Sequence, residues 1–145
     1  MDELIEQMKV CLGSTFAFYL KAHNFHWNVE GATFSQLHSF FETIYTDAWE
    51  AVDGLAEHIR TLNAYAPGSF VRYTDLSLVK DEVNIPPAMS MVNKLLDDNQ
   101  TLIDQLTKTQ AIAEQNKKMG LANYLQDRID AHEKNGWMLR ATAKV

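Results

Sequence analysis

Apolar residues recur every three or four positions along most of the chain, the spacing of one face of an amphipathic helix. This pattern predicts four long helices, over about 3–27, 33–63, 87–116 and 120–143. The segment 64–85 contains Pro67-Gly68 and shows little periodicity except from Leu76 to Val83, where the pattern fits a short helix. The chain is therefore expected to be all-α, with one long connection in its middle.

Local signals mark the ends of the first two helices. The stretch from Asn28 to Gly31 breaks the first helix, and Thr33 with Gln36 forms a capping-box pattern that begins the second. The predicted inward stripe of the first helix is Leu4, Met8, Cys11, Leu12, Thr15, Tyr19 and Ala22. Two helices, one long crossover and two further helices form the arrangement of a ferritin-like four-helix bundle.

Composition and charge narrow the class of protein. The 145 residues are 46% hydrophobic and 22% charged, as in one soluble globular domain spanning 1–145. Cys11 has no partner for a disulfide, and neither a signal peptide nor a membrane-spanning run is visible, so a cytoplasmic location is expected. The net charge of −6 favours a cationic metal over nucleic acid as a ligand.

The second helix contains two pairs of potential metal ligands, each at the four-residue spacing that places both side chains on one face. The pairs are His38 with Glu42 and Asp53 with Glu57, and His26 lies at the end of the preceding helix. One such pair alone would mean little, because His and carboxylates are common on solvated helices.

The direction of the two pairs around the helix is more informative. With Leu37 at zero on a wheel of about 100° per residue, the other apolar positions lie within roughly 40° and define the core side. These positions are Phe41, Ile44, Ala48, Leu55 and Ile59. The four potential ligands lie at roughly 100° to 200°, so they are expected to point away from the core of their own subunit.

The two pairs are about 15 residues apart, roughly 22 Å along the axis, which is too far for one metal ion to use both. A second copy could pack antiparallel on this face, with a two-fold axis near Asp47 and Ala48. His38 and Glu42 of each chain would then lie next to Asp53 and Glu57 of its partner. Such an isologous dimer creates two identical sites. Tyr45 and Trp49 lie between the pairs on the same arc, where an interface would bury them, and His26 would add a further ligand.

Nitrogen and oxygen ligands with open coordination positions suit Fe(II), but Zn(II), Mn(II) and Co(II) fit the same set. The residues alone therefore indicate a metal site without selecting the metal.

The ligand residues belong to a longer pattern that resembles the signature of the Dps proteins, or mini-ferritins. The pattern consists of the run Lys21-Ala22-His23-Asn24-Phe25-His26-Trp27-Asn28-Val29-Glu30-Gly31, then Phe34, Leu37-His38, Phe41-Glu42, Asp53 and Leu55-Ala56-Glu57-His58-Ile59. The stretch 130–140 resembles the last helix of these proteins, so the likeness covers nearly the whole chain.

The resemblance implies a hollow dodecamer, built from two-fold dimers, that oxidises Fe(II) preferentially with hydrogen peroxide and stores the ferric mineral, protecting against oxidative stress. Its ferroxidase site would hold one or two iron ions. The implied ligands are His26, His38 and Glu42 from one subunit and Asp53 and Glu57 from the other. The family usually has Asp at the position of Glu42, and the longer side chain is expected to shift the second metal position.

Other functions were weighed against this one. A ferritin with a di-iron site inside each bundle needs Glu-x-x-His motifs, which the sequence lacks. A nucleoid-protection protein that binds DNA is the main alternative, but no Lys-rich or Arg-rich tail is expected here and the chain is acidic. A helical bundle without metal would leave the outward ligands unexplained.

Several other residues are expected to have roles other than metal binding at this site. His23, His58 and His132 are expected to pack or to form hydrogen bonds rather than to bind metal, while Trp27 is a candidate to take up stray oxidising equivalents, as proposed for the family. The resemblance also implies acidic iron-entry pores near the start of the last helix, and their lining stays open here. The nearest carboxylates are Glu114, Asp127 and Asp130.

Overall fold

The computed structural model describes residues 1–144, which form five helices and no strand. The helices are α1 (Asp2–Asn28), α2 (Phe34–Thr61), α3 (Phe70–Leu76), α4 (Ala88–Gln115) and α5 (Met119–Ala143). The predicted all-α bundle of four long helices with one long connection is confirmed. Val145, the last residue of the predicted domain, lies outside the described residues. Within 1–144, no helix combines the length and the apolar character that a membrane crossing requires.

The core is divided into two clusters along the bundle. α1 packs against α2 and α4, and α4 packs against α5. One cluster includes Phe18, Phe25 and Phe41, and the other includes Leu12 and Leu55, all fully buried. The predicted inward stripe of α1 is buried except for Tyr19, which is only half-buried, because Phe18 fills the inward position beside it.

The turn before α2 differs from the predicted capping box. The Thr33 side chain makes no capping hydrogen bond. The backbone instead turns at Gly31, whose φ of 115° is accessible to glycine, and the Phe34 amide donates to the Gly31 carbonyl at 3.1 Å. The predicted start of α2 is confirmed, but the prediction that a capping box forms that start was wrong. This tight turn holds the end of α1 beside the start of α2.

The short helix in the crossover was predicted in the wrong place. It spans Phe70–Leu76 rather than 76–83, and it begins where the Ser69 hydroxyl accepts a hydrogen bond from the Arg72 amide. After it, the Ser77 hydroxyl accepts from the Val79 amide at 2.9 Å, and the Leu78 amide donates to the Ser14 hydroxyl at 2.9 Å. Ser77 has an extended backbone, with φ −68° and ψ 135°, and its hydroxyl donates to the Val79 carbonyl at 2.8 Å, an acceptor that a helix over 76–83 would need.

A buried polar network ties α5 to α2 and α4. The Arg128 guanidinium donates two hydrogen bonds to the Asp47 carboxylate, at 3.0 and 2.8 Å, and lies 3.2 Å from His132 Nε2. His132 Nδ1 lies 2.8 Å from the Asn99 side-chain oxygen, which can only accept. His132 is therefore a neutral imidazole with its proton on Nδ1. The prediction that His132 is structural is confirmed by its complete burial.

This network predicts acid sensitivity. Burial, together with the charge of Arg128 and against the opposing charge of Asp47, lowers the pKa of His132 to about 3. Above pH about 6.5 the imidazole is neutral in both folded and unfolded chains, so it contributes no pH dependence. Below that pH only the unfolded chain takes up the proton, so stability should fall by about 1.4 kcal/mol per pH unit until the folded-state pKa is reached.

Urea unfolding at pH 7.5 and pH 5.0 checks this expectation at fixed protein concentration. The free energy of unfolding should be about 2 kcal/mol lower at pH 5.0 on account of His132. In His132→Gln, which keeps a polar side chain without an imidazole, the difference between the two pH values should shrink by that amount. An equal pH dependence in both proteins would show that His132 is not the group responsible.

Candidate metal centre

His26 and His38 form a reciprocal pair where α1 ends and α2 begins. His26 Nδ1 lies 2.7 Å from the His38 carbonyl, and His38 Nδ1 lies 2.7 Å from the His26 carbonyl. The two rings stack with centroids 3.7 Å apart. Because a carbonyl only accepts, both Nδ1 atoms must carry a proton, so in the neutral form of each ring Nε2 presents a lone pair. This is how a metal-binding histidine is normally oriented by a backbone carbonyl.

Glu42 adds a carboxylate to this pair. It lies one helical turn after His38, its side chain is 60% exposed, and its Oε1 atom lies 4.0 Å from His26 Nε2. The carboxylate is therefore close to the imidazole lone pairs and still free to move toward a cation. His26, His38 and Glu42 form a set of nitrogen and oxygen donors suited to a divalent transition metal.

Asp53 and Glu57 form a second, separate set further along α2. Both are exposed. The Asp53 carboxylate raises the pKa of Glu57, first as its hydrogen-bond partner and then through its negative charge. Two carboxylates that share a proton in this way repel each other when both are ionised, and a bound cation would relieve that repulsion.

The structure places His26, His38 and Glu42 near one another without closing them into a metal site, and Asp53 and Glu57 lie further along α2. Across residues 1–144, no three His, Cys, Asp or Glu side chains of one chain converge closely enough to hold a metal ion. Asp47 belongs to neither set, because it faces Arg128 on α5.

Aromatic side chains cover the surface between the two sets. Trp49 is 54% exposed and Trp27 is 57% exposed, although both are large apolar groups. Tyr19 packs on Trp49 with ring centroids 4.9 Å apart, and Tyr45 is half-buried beside it. An exposed aromatic surface bordered by charged residues has the composition of a protein interface.

His23 has more contacts around this set than its interpretation as a packing residue predicted. Its Nδ1 atom lies 2.9 Å from the Tyr19 hydroxyl, and its ring stacks on Tyr45 with centroids 3.8 Å apart. Burial lowers its pKa, as does the charge of His26, whereas Glu42 opposes them. His23 thus packs and forms a hydrogen bond as expected. The charges of two predicted ligands, His26 and Glu42, also act on its imidazole. The sequence signal for this proximity was the position of His23, three residues before His26 on the same helix.

The interior of the bundle offers a poor site for a second kind of metal centre. Burial alone would raise the pKa of Asp47. The hydrogen bonds and the charge of the Arg128 guanidinium outweigh burial, so the pKa of Asp47 is lowered. A fixed positive charge beside the carboxylate and imidazole of this network repels a metal cation. The donor sets available to a metal are therefore those on the outer face of α1 and α2.

Comparisons with known proteins agree with this architecture. The model of the ferritin-like domain family matches residues 5–145. The chain is 33% identical to a DNA protection during starvation protein of Brevibacillus brevis, over 85% of this chain and 83% of the relative. A crystal structure of a Dps protein from Bacillus brevis superposes with a TM-score of 0.95 at 26% identity, covering 99% of this chain and 96% of that one.

A third comparison adds the chemical class of the relatives. The crystal structure of a Dps protein from Vibrio cholerae O1, described as a member of a broad superfamily of ferritin-like diiron-carboxylate proteins, superposes with a TM-score of 0.94 at 31% identity. The superposition covers 99% of this chain and 90% of the Vibrio cholerae chain. A bundle of matching length and topology, with histidines and carboxylates on its outer face, places this chain in the Dps family of ferritin-like proteins.

Proposed function

We propose that this protein is a ferroxidase and iron store, oxidising Fe(II) at sites completed by two subunits. The observation that carries the proposal is the reciprocal pairing of His26 and His38, which fixes both rings beside the exposed carboxylate of Glu42, 4.0 Å from His26 Nε2. Membership of a family that includes ferritin-like diiron-carboxylate proteins supports iron as the metal.

The missing ligands would come from a second copy of the chain. If two α2 helices pack antiparallel, His38 and Glu42 of one chain meet Asp53 and Glu57 of the partner subunit, and the dimer holds two identical sites. The exposed Trp49, between the two sets, would be buried in that interface. We further propose that these dimers assemble into a dodecameric cage in the cytoplasm, with ferric mineral inside.

The chemistry balances with peroxide as the oxidant. Two Fe(II) ions each give one electron to hydrogen peroxide, its O–O bond breaks, and two protons complete two water molecules. Bound carboxylates stabilise the resulting Fe(III), a harder cation than Fe(II). Consumption of Fe(II) and peroxide together would prevent them from forming hydroxyl radicals, which damage DNA, and the Brevibacillus relative is named a DNA protection during starvation protein.

A substitution in the proposed interface, at a residue that is not itself a proposed ligand, tests the shared site. Trp49→Arg places a charge in the middle of the aromatic surface and should prevent the two-fold dimer, because a buried unpaired charge is costly. We expect a smaller mass in solution and loss of peroxide-driven Fe(II) oxidation, measured by absorbance of Fe(III).

Trp137→Arg is the matched control. Trp137 lies on α5, is 60% exposed and is outside the proposed α2 interface. This variant should keep the oxidation activity. Full activity in a Trp49→Arg protein that is monomeric would contradict the proposal, since each chain alone holds only part of a site.

A further inference from the structure

Gly54 leaves a notch in the surface of α2, between the carboxylates of Asp53 and Glu57 in the sequence. The Tyr124 side chain of α5 lies in this notch, and its hydroxyl donates a hydrogen bond to the Ala51 carbonyl at 3.3 Å. A Cβ atom at position 54 would overlap the Tyr124 hydroxyl and lie 2.8 Å from Cζ of the ring. The close approach of this ring to the α2 backbone therefore requires glycine at position 54.

The Tyr124 ring is held in the notch by its packing. It lies against the core cluster that includes Leu55 and Leu125, and its side chain is half-buried. A tyrosine side chain occupies only a few discrete rotamers, so a ring that turns out of the notch leaves this cluster and loses its hydrogen bond. Because packed interiors transmit strain, a larger residue at position 54 would displace α2 from α5.

A second contact joins the same two helices one turn away. One turn after Tyr124 on α5, the Arg128 guanidinium donates to the Asp47 carboxylate at 3.0 and 2.8 Å. Asp47 in turn lies one turn before Ala51 on α2. The rest of α2 packs mainly against α1. Two contacts spaced by one turn on each helix fix the axial register of α2 against α5.

The notch and the carboxylates of Asp53 and Glu57 lie on different sides of α2. On a wheel of about 100° per residue, Gly54 lies within about 60° of Ala51, whereas the two carboxylate positions lie about 120° to 160° from it. Both carboxylates are exposed, so their position is set by the helix backbone that carries them. Tyr124 fixes that backbone from the side facing α5.

We infer that Tyr124, seated against Gly54, is a positioning residue for the donor set of Asp53 and Glu57. It holds this segment of α2 at the distance from α5 at which the two carboxylates reach the metal site shared with the partner subunit. This inference rests on the proposed function, because the donor set is half of the proposed site. Residues that orient metal ligands without binding the metal typically contribute about 10–100-fold to metal affinity.

Gly54→Ala tests the inference in the intact assembly. The added methyl group should displace α2 from Tyr124, so the KM for Fe(II) in peroxide-driven oxidation should rise about 10–100-fold, more than kcat falls. The mass of the assembly should stay that of the wild type. Alanine is a better helix former than glycine, so without a tyrosine in the notch the same change would strengthen α2. A wild-type KM in Gly54→Ala would overturn the inference.

Removal of the Tyr124 hydroxyl should rescue this variant, because the hydroxyl is the group that the added methyl overlaps most closely. The double variant Gly54→Ala/Tyr124→Phe should therefore recover most of the lost Fe(II) affinity. A general defect of α2 would not respond to the loss of a hydroxyl on α5, so a double variant as weak as Gly54→Ala would contradict the inference.

Gly120→Ala is the matched control. Gly120 also lies in a helix, α5, but within the described residues no atom lies within 4 Å of the methyl group that alanine would add there. This variant should keep the wild-type KM for Fe(II).

Tyr124→Leu keeps the inference testable if Gly54→Ala does not assemble. It takes the ring out of the notch and leaves an apolar side chain against the core, so the KM for Fe(II) should again rise about 10–100-fold. A wild-type KM in this variant would contradict the role assigned to Tyr124 and leave the proposed function intact. Absence of peroxide-driven Fe(II) oxidation in the wild type would overturn both.

Discussion

Replacement of His38 by alanine is expected to lower the rate of peroxide-driven Fe(II) oxidation by at least about a hundredfold, with the assembly intact. Loss of a partner that only orients a metal ligand already costs about 10–100-fold, and this change removes the ligand itself. It also removes the ring that stacks on His26 at 3.7 Å and the Nδ1–H group that donates to the His26 carbonyl. Glu57→Ala should have a similar effect from the other side of the site.

Both variants should keep the mass of the wild-type assembly, because neither His38 nor Glu57 belongs to the hydrophobic core clusters. His58→Ala is the matched control, being a histidine of the same helix that the proposed site does not use. Fe(II) oxidation at the wild-type rate in His38→Ala or Glu57→Ala would mean that the iron chemistry occurs elsewhere.

Asp47→Ala is expected to cause the largest loss of stability, about 3 kcal/mol. It removes the carboxylate that holds the Arg128 guanidinium, whose side chain is only 10% exposed, and leaves that charge unpaired in the core. The estimate is at the low end of the range for buried pairs because the Asp47 side chain is 34% exposed. Chemical denaturation at matched protein concentration measures the effect.

Glu50→Ala is the control for this prediction, since Glu50 is an exposed carboxylate less than one turn away on the same helix. Its effect should be within about 0.5 kcal/mol. Similar losses in the two variants would mean that the Arg128 pair contributes no more than an ordinary surface charge.

Much of the bundle was predictable because long helices with regular apolar spacing determine their own buried face. The apolar positions assigned to the core side of α2, from Leu37 to Ile59, are all buried. The crossover was harder, because α3 depends on a single capping serine, Ser69, and on a contact between Ser14 and Leu78 that are 64 positions apart. Periodicity carries no information about such contacts.

The direction of the candidate ligands was predictable for the same reason, but the details of the site were not. The wheel placed Glu42, Asp53 and Glu57 on the outer face, where they are exposed. The reciprocal hydrogen bonds of His26 and His38 depend on how the 29–33 turn brings two helix ends together, and sequence spacing cannot show this. The same applies to His23, whose environment is set by Tyr45 on the neighbouring helix. The assignment of all five ligands to iron stays a prediction.

The most direct test of a site shared between subunits is to co-assemble the two inactive variants, His38→Ala and Glu57→Ala. In a mixed dimer, one site carries both substitutions, and the other combines the intact His38 of one chain with the intact Glu57 of its partner. Random pairing makes about half of the dimers mixed, so activity should return to about a quarter of the wild-type value. If each site lay within one chain, every site would carry a substitution, and the mixture would remain inactive.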